Sequence, residues 1–153
     1  MSSVDVEAEI VIDRPRQAVA SFAADPDNTT AWYRNIRSVE WRNPKPIGVG
    51  SRIAFVARFL GRTLAYEYEI KELSEGERLV MSTTDGPLAM ETTYMWHDEP
   101  GGGTRMTLRN RGEAGGFAAI AAPLLERSMR RANRGDLVRL KGILESQSPT
   151  SDP

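Results

Sequence analysis

Residues 117–145 read as one long amphipathic helix, and no other stretch restricts the fold as strongly. At about 100° per residue, Ala118, Ala122, Leu125, Met129, Ala132, Leu140 and Ile143 share one face, with Leu137 and Leu144 at its margin. Arg127, Arg130, Arg131, Arg134, Lys141 and Glu145 point the other way. One face must be covered and the other stays wet. The fold has to offer this helix a broad apolar surface, and the remaining sequence has to build it.

That remaining sequence is rich in period-two alternation. Val4, Val6, Ala8, Ile10 and Ile12 alternate with Asp5, Glu7 and Glu9, the pattern of a strand with its even-numbered side inward. Asp13 then stands as a cap, and Pro15 as a first-turn residue, for a helix with Val19, Phe22 and Ala23 on its apolar face. Residues 25–28, Asp-Pro-Asp-Asn, break it, and a second short helix is expected to end near Trp32 and Tyr33. Six strands follow, over residues 36–41, 51–60, 62–73, 79–84, 88–98 and 104–113, parted by Gly, Pro, Asn and Asp. In the later strands Leu64, Tyr66, Tyr68 and Ile70, then Tyr94 and Trp96, then Met106 and Leu108 fall on the inward side. Short turns make neighbouring strands antiparallel, and the last helix is the only long element left to cover their apolar side. The expected class is α+β: a single domain over residues 1–146, with residues 147–153 a disordered tail that lacks apolar anchors.

Composition removes several function classes. A chain of 153 residues with 40% hydrophobic and 27% charged residues is that of a globular protein with a sizeable core. The net charge of −1 gives no global attraction to nucleic acid, and no nucleic-acid partner is expected. The absence of cysteine excludes disulfides, thiol catalysis and thiolate metal sites, and it fits a reducing cytoplasm. The first residues lack the basic and apolar runs of a secretory signal. The most apolar segment, 117–125, contains Pro123 and falls well short of the about 20 residues a membrane span needs. A cytoplasmic monomer or homodimer without integral membrane association is expected.

The order and spacing of particular pieces resemble the START-like and pollen-allergen-like (SRPBCC) superfamily. These pieces are residues 12–19 (Ile-Asp-Arg-Pro-Arg-Gln-Ala-Val), Trp32, the Gly48–Gly50 turn, residues 67–73 (Glu-Tyr-Glu-Ile-Lys-Glu-Leu), residues 102–108 (Gly-Gly-Thr-Arg-Met-Thr-Leu) and residues 140–145 (Leu-Lys-Gly-Ile-Leu-Glu). The chain looks most like the bacterial polyketide cyclase/dehydrase and lipid-transport-type members. All of these pieces are architectural, and none is a catalytic signature. The resemblance implies a helix-grip fold: a seven-stranded antiparallel sheet curled around the C-terminal helix, two short helices between the first and second strands, and a cavity that holds an apolar or aromatic small molecule. Members of the superfamily bind or carry lipids, sterols or hormones, assist polyketide cyclisation, or serve as chaperone cofactors, so the resemblance fixes the place of action more closely than the action.

The candidate ligand-binding residues are Phe55, Phe59, Tyr66, Tyr68, Met81, Met90, Tyr94 and Trp96 from successive strands, with Phe117 and Met129 from the helix. They either fill a core or line a cavity. The tyrosines favour a cavity, because a phenol in a dry core needs a partner. Asn133 and Asp136 stand on or beside the apolar helix face. Asp136 either pairs with Arg139 at helical spacing or reaches a ligand as a base, and it is the one catalytic candidate. Gly135 beside them is expected to mark a close strand. Glu126 is placed to pair with Arg130. Gly115, Gly116 and the small residues before Pro123 either form a bendable gate or precede the true start of the helix. His97, the only histidine, falls outward near a turn and makes a Ser-His-Asp triad a remote reading. No metal and no cofactor are expected. The expected function is binding or transport of an apolar or aromatic small molecule such as a lipid or polyketide-like compound. The alternatives are a cyclase/dehydratase-type enzyme using the same cavity, and a protein-interaction module.

Overall fold

In the computed structural model, residues 2–59, 61–85, 89–114 and 122–147 are described. The elements are β1 (Ser2–Ile12), α1 (Arg16–Ala24), a 3-10 turn (Pro26–Asn28), α2 (Thr29–Trp32), β2 (Ile36–Trp41), β3 (Arg52–Phe59), β4 (Arg62–Ser74), β5 (Arg78–Asp85), β6 (Ala89–Asp98), β7 (Thr104–Ala114) and α3 (Ala122–Ser146). The strands form one antiparallel seven-stranded sheet in the order β1-β7-β6-β5-β4-β3-β2. With α3 against it and two short helices between β1 and β2, this is the expected helix-grip fold.

Local chemistry explains most element boundaries. The β1–β7 register runs unbroken from Ser2 opposite Ala114 to Ile12 opposite Thr104. It buries Val4, Val6, Ala8 and Ile12 beside Met106 and Leu108. The outward residues of the same strands form ion pairs: Arg109 with Asp5 at 2.7 Å, and Arg105 with Glu9 at 2.7 Å and Glu99 at 2.6 Å. Register shifts interrupt the β4–β5 ladder at Glu67/Tyr68 and Ile70/Glu72 and the β2–β3 ladder at Ile36/Ser38, places where a strand can bend and twist. Asp25 closes α1 and accepts from the Asp27 backbone N–H at 3.0 Å, which shapes the 3-10 turn. Asp13 does not cap α1. The cap position belongs to Pro15, which has no side-chain bond to give, and the Asp13 backbone N–H instead donates to Glu145 Oε2 at 2.8 Å.

The helix face differs from the one read off the wheel. The buried residues of α3 are Asn133, Asp136, Leu137, Leu140 and Leu144, while Leu125 and Met129 are half-buried against Val4 and Val6. The covered stripe is thus rotated toward the two leucines that the wheel put at the margin. It is rotated because α3 lies chiefly against β1 and α2, and Asn110 on β7, the Arg34 N–H just past α2 and Arg139 on α3 itself let Asn133 and Asp136 go inside with the leucines. Gly135 is exposed with no atom near the position of a Cβ, so no strand approaches it. Glu126 accepts from the Asp5 backbone N–H at 3.2 Å rather than pairing with Arg130. At the far end, Lys141 Nζ donates to the Val11 carbonyl at 2.6 Å and pairs with Glu145 at 2.6 Å. Arg14 Nη1 donates to the Leu144 carbonyl at 2.8 Å, a cation on the negative end of the helix dipole. Residues 115–121, read as either a gate or a lead-in to the helix, lie outside the described residues.

Three substitutions test this packing by chemical denaturation. Leu140→Ala empties a fully buried position and is expected to cost about 2–5 kcal/mol, against under about 0.5 kcal/mol for the exposed Val138→Ala. Gly135→Ala meets open space in a helix interior and should stabilise the fold by about 1 kcal/mol.

Candidate functional site

The inner face of the sheet collects the aromatic residues because the register places them there. Phe55 lies opposite Tyr66, Ile53 opposite Tyr68, Ile70 opposite Met81 and Leu79 opposite Tyr94. Two ring clusters result. On β3 and β4, Phe55 meets Tyr68 edge-on at 5.7 Å and Tyr66 meets Tyr68 at 6.1 Å. At α2 and β6, Trp32 contacts Tyr33 at 4.3 Å and Tyr94 at 5.7 Å, and Tyr94 meets Trp96 at 6.0 Å. Phe55, Met81, Tyr94 and Trp96 are buried, whereas Tyr66, Tyr68, Met90 and Met129 are only half-buried. Phe117 and the Phe59 side chain lie outside the described residues.

A polar seam crosses this apolar face. The hydroxyls of Tyr33 and Tyr94 share a hydrogen bond of 2.6 Å. Burial pushes both phenols upward, and it raises that of Tyr68 to about 12. From β6 to β7 to α3, the Thr92 hydroxyl donates to Asn110 Oδ1 at 2.6 Å, and Asn110 Nδ2 donates to Asn133 Oδ1 at 3.1 Å. One helical turn on, Asp136 Oδ1 accepts from the Arg34 backbone N–H at 3.0 Å and from Arg139 Nη2 at 3.0 Å. Burial raises the Asp136 carboxyl, while the Arg34 N–H and the Arg139 guanidinium act the other way. Arg139 Nε also donates to the Trp32 carbonyl at 3.1 Å, so the Asp136–Arg139 pair is a tie between α3 and the end of α2.

Tyr33, Thr92 and Asn110 were not singled out from the sequence. Thr92 and Asn110 stand at inward positions of their strands, so a polar residue on an apolar side was the available signal. Tyr33 sits past the end of a one-turn helix and gives no periodic signal. His97 is exposed at the end of β6, and among the described residues no group of three His, Cys, Asp or Glu is placed to hold a metal ion. The outer face of α3 carries Arg127, Arg130, Arg131 and Arg134, on the side away from the aromatic clusters. No described helix is long and apolar enough to cross a membrane.

A sheet gripping a C-terminal helix over a face of aromatic and polar residues defines the START-like class. The chain belongs to the family described as polyketide cyclase/dehydrase and lipid transport, whose model matches residues 3–145. Among solved structures it is similar to a START superfamily protein from Mycobacterium smegmatis, with 12% identity, a TM-score of 0.81 and coverage of 94% of this chain and 99% of that one. It is also similar to the Zhui aromatase/cyclase from Streptomyces sp. R1128, at 17% identity and a TM-score of 0.78, covering 94% of each chain. The structure of TTHA0849 from Thermus thermophilus matches at 23% identity and a TM-score of 0.81, covering 93% of this chain and 97% of that one. At these identities the likeness is one of fold. No curated protein matches the chain.

Raised phenol values have a stability consequence of definite sign. The folded chain holds the protons of Tyr33, Tyr68 and Tyr94 more tightly than the unfolded chain, whose phenols keep the ordinary value of 10.0. Stability from this source is complete below that pH and is lost as pH rises toward about 12. Urea unfolding followed at about pH 9 and about pH 11 should show the loss, with the phenolate absorbance of these three tyrosines appearing as the fold opens. Tyr94→Phe should cost about 1–3 kcal/mol by stranding the Tyr33 hydroxyl, and the double variant Tyr33→Phe/Tyr94→Phe should recover part of it.

Proposed function

We propose that the chain binds an apolar or aromatic small molecule, of the lipid or polyketide-like kind, between the inner face of the sheet and α3, and acts as a binder or carrier. The observation that carries this reading is the half-exposure of Tyr66, Tyr68 and Met90 on the face that a well-filled core would bury completely. The helix lies chiefly on β1 and α2, which leaves the inner faces of β3 and β4 for a guest. Phe55, Met81 and Trp96 would supply apolar contact, at about 25 cal/mol for each Å² removed from water, and the methionines adapt to differing shapes. Phe59, Phe117 and Met129 are proposed to complete the lining. Membership of a family described by both cyclase and lipid-transport activity is compatible with this reading.

The second reading is a cyclase or dehydratase using the same space. It is favoured by one observation, the raised carboxyl of Asp136 near the hydroxyls of Tyr33 and Tyr94. It ranks second because Asp136 is already committed to Arg34 and Arg139, which hold it as an acceptor in a structural tie. A third reading, a protein-interaction module, would need a partner segment in place of the small molecule.

Native mass spectrometry of the purified protein should reveal a retained small molecule, and a panel of apolar dyes and lipids should bind saturably. Tyr66→Phe or Tyr94→Phe should weaken oxygen-bearing ligands by about tenfold while leaving hydrocarbons of equal size nearly unchanged. Binding that never saturates across the panel sinks the proposal. Turnover of a polyketide-like chain that disappears in Asp136→Asn, with ligand affinity kept, would move the conclusion to the enzyme.

A further inference from the structure

The structure assigns a seat for the polar end of the guest: the side-chain amide of Asn133 donates to a neutral carbonyl oxygen carried by an otherwise apolar molecule. This rests on the binding reading above and narrows its ligand class.

Asn133 is 5% exposed, and its Nδ2 has no hydrogen-bond partner. Which end of the amide is free follows from the bonds behind it. The contact from Thr92 Oγ1 to Asn110 is 2.6 Å, a length that suits a hydroxyl donating to an oxygen and is short for an N–H donor. Asn110 therefore presents Oδ1 to Thr92 and Nδ2 to Asn133. The oxygen of Asn133 is thereby taken as an acceptor, and its nitrogen is left with two N–H groups to give.

The seam is thus a directed chain from β6 through β7 to α3 that ends on an unused donor. A buried donor without an acceptor is costly, and the bond from Asn110 uses only the oxygen of the Asn133 amide. An acceptor supplied from outside the chain completes the series. Charge decides what kind. The ionisable group buried on this side of α3 is the carboxyl of Asp136, three residues away, and its nearest cation, Arg139, is bonded to it and to the Trp32 carbonyl. A carboxylate guest would bring a like charge beside Asp136, whereas a ketone or ester oxygen accepts without bringing charge.

The test compares two probes of nearly equal shape, 2-acetylnaphthalene and 2-isopropenylnaphthalene, which differ by a carbonyl oxygen in place of a methylene. Binding is read by calorimetry on the full chain. The ketone is expected to bind wild type about tenfold more tightly than the alkene. In Asn133→Leu the alkene should keep its affinity within about twofold and the ketone should fall to meet it. In Asn133→Asp, which replaces the two donors by an acceptor, the ketone should bind more weakly than the alkene. The Leu variant removes the acceptor of Asn110 Nδ2 and is expected to lower the melting temperature, whereas the Asp variant keeps an acceptor there. If it fails to fold, the Asp variant gives the same readout. Equal affinities in wild type, or a ketone preference that survives both substitutions, overturns the assignment in favour of a buried water or a backbone donor, and leaves the binding reading standing. If neither probe binds wild type, the binding reading falls for this class of guest and the assignment falls with it.

Discussion

The pairing of β1 with β7 is the constraint on which the other features depend. It joins the two ends of the strand series in one ladder, so the chain must travel from the β1 rim of the sheet to the β2 rim before it can fold back hairpin by hairpin. That journey is made by α1, the 3-10 turn and α2, which bury Val19, Ala20, Ala23 and Trp32 among the inward residues of the sheet. The helix that follows β7 then settles against β1 and meets α2 on the way. Strand order alone therefore brings Trp32 and Arg34 to Arg139 and Asp136, residues separated by more than a hundred positions in the chain.

The strands were legible because alternation records a difference between two environments. On the outer face, Asp5, Glu9, Glu91, Arg105, Arg109 and Arg111 can face water and one another, so their positions announce which side is wet. The residues between them had to be inward, and Phe55, Tyr66, Tyr68, Met81, Met90, Tyr94 and Trp96 could be placed on one face before any coordinate was known. The helix was less legible. A wheel weighs apolar area, and it placed Leu137 and Leu144 at a margin when they are among the most buried residues in the chain. It erred because Asn133 and Asp136 also belong to the covered stripe, and what makes them tolerable there is supplied by Asn110, Arg34 and Arg139. No local pattern reports a partner that arrives from another strand. The same holds for Glu126, drawn to a backbone N–H on β1, and for Asp13, whose N–H goes to Glu145.

The inner face combines apolar packing with polar groups held at fixed places. Rings in edge-on and tilted contact give it apolar substance, while the paired phenols, the Thr92–Asn110–Asn133 series and the Asp136–Arg139 tie fix polar atoms at set places within it. A core chosen for stability alone would replace these groups by leucine and isoleucine. These polar groups are tied to one another and to the backbone at set places in an otherwise apolar face.

One consequence concerns the rim formed by β1. A terminal strand normally leaves backbone donors and acceptors that invite a foreign strand to dock. Here Glu126, Lys141 and Glu145 reach down from α3 to the Asp5 amide, the Val11 carbonyl and the Asp13 amide. The helix thus acts as a surrogate eighth strand, made of side-chain tips, that blocks the polymerisation route this rim would otherwise leave open. The element that covers the inner face is also the one that keeps the sheet from growing.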